Sequence, residues 1–544
     1  MNLSRRFLVC IVVLSQIVPA AICTAQAALR EPGELVWTIG YDPKTFDPAK
    51  VDDEESETVR DLTAGVLLRF NRLTQKVEPE LAQTWSISPD GKTITVSIRP
   101  GLEFSDGSSL TARDVAWSLR RVLSPATAAP VAEEFVSPAG VTVDTPNDRT
   151  VVIHLPKRVI AIGKVFDEIA IEPAGRPSEG RVTSGPFVVA DYRRSLYVRL
   201  RRNPHYFGKD RAGNALPYAT GVRLDIVENM EQQVRLLLRG DYDLIDSIQP
   251  DYFELLRKRA PTMVRDLGPS LNTEQTWFNQ APSSPLPGWE KAWFQNRAFR
   301  VAVSQAIHRS DLARIAYLGH ATPAYSFISP ANSLWYDRSL SAPHTDVAAA
   351  KAGLVAAGFR LHGSVLTDAA GHPVKFSILT NSGNAAREKM ATLIQQDLTA
   401  LGMQVNVVTL DFPALIERLM HTQDYEACLL GLENVDPEPN AMMNIWLSSS
   451  PNHQWNPSEK TPATPWEAEI DRLMNQQAVS PKDAERKKEI DRVQQIVADQ
   501  QPFIYLVYPN ALVAFSPRLQ GVQPAVLEPR LTWNVEQLRM QGAR

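Results

Sequence analysis

The sequence predicts a mixed α/β protein, and three patterns carry that prediction. Apolar and polar residues alternate in several short stretches, the mark of half-buried strands. Elsewhere apolar residues recur three and four positions apart, the mark of helices with one buried face. Between residues 290 and 500 the two patterns take turns as in α/β units, whereas residues 85–200 are mostly strand-like.

The elements follow in chain order. Residues 1–6 carry Arg5 and Arg6, residues 7–22 are nearly all apolar, and Ala25-Gln26-Ala27 gives a small-x-small site. This is the layout of a secretory signal, with cleavage expected near Ala27. The apolar run is too short and interrupted to span a bilayer comfortably. Ser4-Arg5-Arg6-Phe7-Leu8 partly resembles a twin-arginine signal, so the export route stays open. Cys23 follows a bulky Ile22, so lipid anchoring is not expected.

Next, Pro89-Asp90-Gly91-Lys92 reads as a turn, with Gly91 supplying a positive φ. Ile94, Val96 and Ile98 form the returning strand. Thr111 is a helix N-cap, with Asp114 three residues on and Val115, Leu119 and Val122 as the buried face. Further strands run through Val151, Ile153 and Leu155, through Leu196, Val198 and Leu200, through Val222, Leu224 and Ile226, and through Val374, Phe376 and Ile378. The spacing predicts a helix through Met390, Leu393, Ile394, Leu398 and Leu401, closed by Gly402. Two more run through Ile470, Leu473 and Met474, and through Ile490, Val493 and Val497. Loops rich in Pro, Ser and Gly fall at 281–288, 322–333 and 450–465. Two lobes with an inserted piece is the coarse picture.

Composition narrows the function. A chain of 544 residues implies about three domains and needs no disulfide or metal to fold. Its formal charge is −4, near −6 once Arg5 and Arg6 are removed, which argues against nucleic acid as a partner. Cys428 alone remains after the signal, and a lone cysteine makes no intrachain disulfide. Its expected fate is a buried small hydrophobe. Phosphate-binding, dinucleotide-binding, zinc-protease and serine-hydrolase motifs are all missing, so no catalytic residue is assigned. The nine histidines include no pair at ligand spacing, the nearest being His362 and His372, so neither a metal site nor a cofactor is expected.

Residues 79–121 read PELAQTWSISPDGKTITVSIRPGLEFSDGSSLTARDVAWSLRR. This stretch closely resembles the signature of the extracellular solute-binding protein family that serves peptide and nickel importers, family 5. The matching positions are Trp85, Asp90-Gly91-Lys92-Thr93, Arg99-Pro100-Gly101, Phe104, Asp106-Gly107, Leu110-Thr111-Ala112 and Asp114-Val115. Phe46-Asp47-Pro48, Thr183-Ser184-Gly185-Pro186-Phe187, residues 202–207, Leu216-Pro217-Tyr218, Trp277-Phe278-Asn279 and residues 296–302 resemble further family segments.

The resemblance implies a two-lobed periplasmic-binding-protein-like α/β fold of the large, cluster C type, with an extra subdomain inserted in lobe I. Lobe I is expected at 28–55, 181–272 and 505–544, the insert at 56–180, and lobe II at 273–504. It also implies the substrate-binding component of an ABC importer, working as a periplasmic monomer and not as an enzyme. The expected solute is a small peptide, delivered to a membrane permease. Other solutes stay open: an opine, an oligosaccharide, haem or a nickel chelate. In peptide-binding members an acidic residue just before an Asp-Pro pairs with the peptide's α-ammonium. Position by position that is Glu433, with Asp436 of Asp436-Pro437 as its neighbour. A buried ammonium needs such a charge-assisted partner. Relatives usually carry Asp there, and Glu433 is one methylene longer. Trp277, Asn279, Trp446 and Trp455 are the other candidate cleft residues, with core packing as the competing fate.

Overall fold

The alternating stretches fold as strands and distribute over three larger sheets. The computed structural model describes residues 30–542 apart from 136–137, 178, 341–343, 435 and 481. The expected export signal, with Arg5, Arg6, Cys10, Cys23 and Ala25-Gln26-Ala27, lies outside the described residues. No helix among the described residues is long and apolar enough to cross a membrane.

One four-stranded sheet runs Glu34–Ile39, Gly221–Ile226, Tyr197–Arg202, Phe187–Arg193. Its first pair is parallel and the rest antiparallel. A second, antiparallel sheet runs Ala82–Ile87, Thr93–Ile98, Thr150–His154, Thr142–Asn147. Ile94, Val96 and Ile98 point to one face and are fully buried, as period-two patterning requires. They pack with Val115, Leu119 and Val122 of the helix Ala112–Leu123. Thr111 begins that helix, its backbone N–H and its hydroxyl both donating to Asp114 Oδ2 at 2.8 and 2.9 Å. Gly91 turns the preceding hairpin at φ +72°, a conformation that suits glycine. Residues from Ala49 to Ile171 thus share one hydrophobic core.

The third sheet has eight strands. Lys375–Asn381 and Gln404–Leu410 pair in parallel, which demands a crossover, and the helix Ala385–Thr399 supplies it. Gly402, at φ +84°, follows that helix as its spacing predicts. The helices Pro465–Gln477 and Asp483–Gln500 pack on each other beside this sheet.

The strand Phe503–Phe515 links the two halves of the molecule. Its first residues, Phe503 to Tyr508, join cores built from residues between Trp277 and Val497. Its last, Leu512 to Ala514, join cores built from Leu35 to Val264 and from Leu519 to Leu538. The chain crosses a second time between Val264–Pro269 and Thr273–Phe278. The two crossings touch: the Ser270 N–H donates to Pro509 O at 2.9 Å, and its hydroxyl donates to the same oxygen at 2.8 Å.

Candidate functional site

A cavity of about 800 Å³ opens where the two halves face each other. The end of Glu34–Ile39, the N-terminus of the helix Glu54–Thr63, the strand Leu68–Asn71 and the 527–532 segment line one side. Glu433 and Asp436 line it from the other side. A second cavity, of about 850 Å³, adjoins it, but no residue between 273 and 504 lines that one. Only the first is a cleft between lobes.

Glu433 follows the strand Ala427–Leu432, which ends as its apolar run gives way to polar residues. The loop is held at its base: the Asn434 N–H donates to Asn272 Oδ1 at 2.9 Å, and Asn332 Nδ2 donates to Pro437 O at 2.7 Å. Glu433 itself is exposed and takes part in no hydrogen bond or ion pair among the described residues. Burial of its surroundings, then the Glu528 charge, raise its carboxyl above the usual range. Asp436 has a different fate. It pairs with Lys164, whose ammonium also lies 4.9 Å from the centre of the Phe70 ring. That contact ties the 433–438 loop to the opposite wall. Desolvation lowers the Lys164 ammonium to about 8.

The cleft is strongly anionic. Twelve carboxylate side chains line it against four cationic ones. Three of those cations are already engaged: Arg60 with Glu57 and Asp61, Arg72 with Asp167, and Lys164 with Asp436. Arg530 pairs with Glu528 through Nη2, while its Nε and Nη1, buried, have no hydrogen-bond partner among the described residues. Burial raises the carboxyls of Glu54 and Asp246, and both feel the Glu528 charge. The carboxylates outnumber the cations that pair with some of them, and excess negative charge in a partly desolvated space suits a cationic group. Arg530 lines the same wall with these two nitrogens closed off from solvent.

The tryptophans lie elsewhere. Trp277, Trp446 and Trp455 are fully buried in the core of the second half, packed around Phe503. Trp277 Nε1 donates to the Tyr425 hydroxyl at 3.2 Å, and Trp455 Nε1 to Glu467 Oε1 at 2.9 Å. Asn279 is also buried, and its Nδ2 donates to the carbonyls of Gln423 and Tyr425 at 2.8 and 2.9 Å. None of these four lines the cleft. The reason is physical: each sits on or beside an inward face of the sheet and its packed helices, where large rings remove most surface from water. Cys428 is buried in the same core. The sequence reading missed Glu54, Asp246, Glu528 and Arg530. A signal existed for the first, the acidic run Asp52-Asp53-Glu54-Glu55 ahead of a helix.

Known proteins match this chain in sequence and in fold. The family model for bacterial extracellular solute-binding proteins, family 5 (middle region), matches residues 76–454. A probable ABC transporter-binding protein of Deinococcus radiodurans is 26% identical over 537 residues, spanning 88% of this chain and 87% of its own. The oligopeptide-binding protein AppA of Bacillus subtilis is 23% identical, spanning 90% and 89%. The crystal structure of the ABC transporter substrate-binding protein CtaP of Listeria monocytogenes superposes with a TM-score of 0.78 at 23% identity, over 94% of this chain and all of that one. That likeness establishes the two-lobed α/β binding-protein fold. With a family match across most of its length, this chain belongs to the bacterial extracellular solute-binding proteins, family 5.

Proposed function

We propose that the protein captures a small peptide, or a peptide-like solute with a free amine, in the cleft between its lobes and delivers it to an ABC permease. The observation that carries this reading is Glu433: an unpaired carboxylate facing a cavity of about 800 Å³ whose lining carries excess negative charge. An α-ammonium group placed among Glu433, Glu54 and Glu528 relieves their mutual repulsion. The oligopeptide-binding relative from Bacillus subtilis supports the peptide class.

Capture works by hinge closure about the paired crossings at Ser270 and Pro509. Main-chain hydrogen bonds grip the peptide, and water fills the space around its side chains. Lobe I comprises 28–55, 181–272 and 505–544, its insert 56–180, and lobe II 273–504. The protein acts as a periplasmic monomer after cleavage near Ala27, and it catalyses nothing, since transport energy comes from the importer's ATPase.

Calorimetric titration with a short peptide and its N-acetylated twin tests the reading. The free-amine peptide binds the wild type at least about tenfold more tightly, a difference of about 1.4 kcal/mol. Glu433→Gln removes most of that preference. Equal affinity for both peptides, in wild type and variant alike, rejects the amine role.

A further inference from the structure

A second polar cluster lies inside lobe II, away from the cleft. His453 and Glu459 sit in the loop before the helix Pro465–Gln477, and Glu467 sits in the first turn of that helix. Their side chains are 1%, 4% and 3% exposed. One donor atom from each lies within 4.8 Å of the others. None of the three lines the cleft.

The imidazole orientation is set by its other nitrogen. His453 Nδ1 lies 2.9 Å from Ile445 O, and a carbonyl only accepts, so Nδ1 carries the proton. Nε2 then presents a lone pair. It is buried without a hydrogen-bond partner among the described residues and faces Glu459 Oε1 and Glu467 Oε1, each at 3.6 Å. Three electron-pair donors within 4.8 Å of one another, none carrying a proton for the others, are stabilised by a cation between them.

Distance decides which cation. An imidazolium would draw a carboxylate oxygen to about 2.7–2.9 Å. A shared divalent ion, about 2.0–2.2 Å from each ligand atom at tetrahedral angles, holds those atoms about 3.3–3.6 Å apart. The two imidazole–carboxylate distances of 3.6 Å fit the second case, and all three atoms lie within 4.8 Å of one another. Charge agrees: a proton would leave one of two buried carboxylates uncompensated, whereas a divalent ion balances both.

The outer partners are those of a built site. Trp455 Nε1 donates to Glu467 Oε1 at 2.9 Å, and the Thr464 hydroxyl to Oε2 at 2.7 Å. Asn456 Nδ2 and the Ala463 N–H donate to the two oxygens of Glu459 at 2.7 and 2.6 Å. The Trp455 ring covers the imidazole, with centroids 3.9 Å apart. Such partners orient metal ligands and fix the imidazole tautomer.

We propose that His453, Glu459 and Glu467 bind a first-row divalent cation of the zinc class, which clamps the 450–465 loop onto the helix Pro465–Gln477. The imidazole ligand favours zinc-like ions over magnesium or calcium. The ion stands apart from the transported solute.

The test uses the full mature protein, purified without a metal-affinity step. Elemental analysis after gel filtration should find about one zinc-class ion per chain. Chelation should lower the melting temperature, and added zinc should restore it. Cobalt(II) loading should give the visible bands of a tetrahedral site. Glu459→Gln, nearly isosteric, should cut metal content about tenfold or more, while Glu433→Gln in the cleft leaves it unchanged. Metal-free wild type whose melting temperature ignores both chelator and zinc overturns the proposal. Metal lost from Glu433→Gln but kept in Glu459→Gln overturns it too, by placing the ion in the cleft. If Glu459→Gln does not fold, the wild-type metal count and chelator response decide alone.

Discussion

Two parts of the half built from residues between Trp277 and Val497 share the same packed elements and behave in opposite ways. The 433–438 loop presents an unpaired carboxylate to open space. The Trp277, Trp446 and Trp455 cluster is closed, with each ring packed against another around Phe503. Both were candidates for ligand contact, on different grounds. A charge just past the end of a strand goes to solvent, to ligand or to an opposite charge, as Asp436 goes to Lys164. A tryptophan has a third choice, the core, and in a chain this long the core claims it. Aromatic content is therefore a weak guide to a cleft, and an unpaired acid on an anchored loop a better one.

The contrast predicts effects of different kinds. Trp455→Ala should cost about 3–5 kcal/mol of stability by denaturant titration, with binding intact in the folded fraction. A small stability loss joined to lost binding would move Trp455 to the cleft. Asn279→Ala should cost about 2 kcal/mol, because the carbonyls of Gln423 and Tyr425 lose their donor. Glu433→Gln should leave stability within about 0.5 kcal/mol and weaken a free-amine peptide about tenfold.

The smallest effect should be that of pH. Burial, with the Glu57 charge adding to it, raises the Glu168 carboxyl on the cleft wall to about 7. A bound cation favours the ionised form, so protons compete with ligand. Affinity for an amine should fall by about threefold as pH drops from above 7 to about 6. A rise over that window would show that the cleft charge does not attract the ligand.

Much of the fold was legible because its causes are local. Ile94, Val96 and Ile98 alternate because one face of their sheet is buried, and Thr111 with Asp114 marks a helix start within four residues. Gly91 and Gly402 mark turns by their positive φ. The cleft was legible only through Glu433 and Asp436, where a loop position carried the signal. Glu54, Asp246, Glu528 and Arg530 come together from distant segments, and no local pattern records that meeting. The 453–467 cluster escaped for another reason. A search for paired histidines passes over one histidine and two glutamates whose spacing belongs to a loop rather than a helix face. The tryptophans show the reverse error, a plausible role outweighed by packing.

On the proposed function, the interlobe cleft holds a peptide-like solute by its amine. Native mass spectrometry of protein purified without refolding tests it most directly. Wild-type protein should carry adducts with the masses of short peptides, and Glu433→Gln should lose them. An adduct with the mass of haem, an oligosaccharide or a metal chelate, equally present on both proteins, would contradict it.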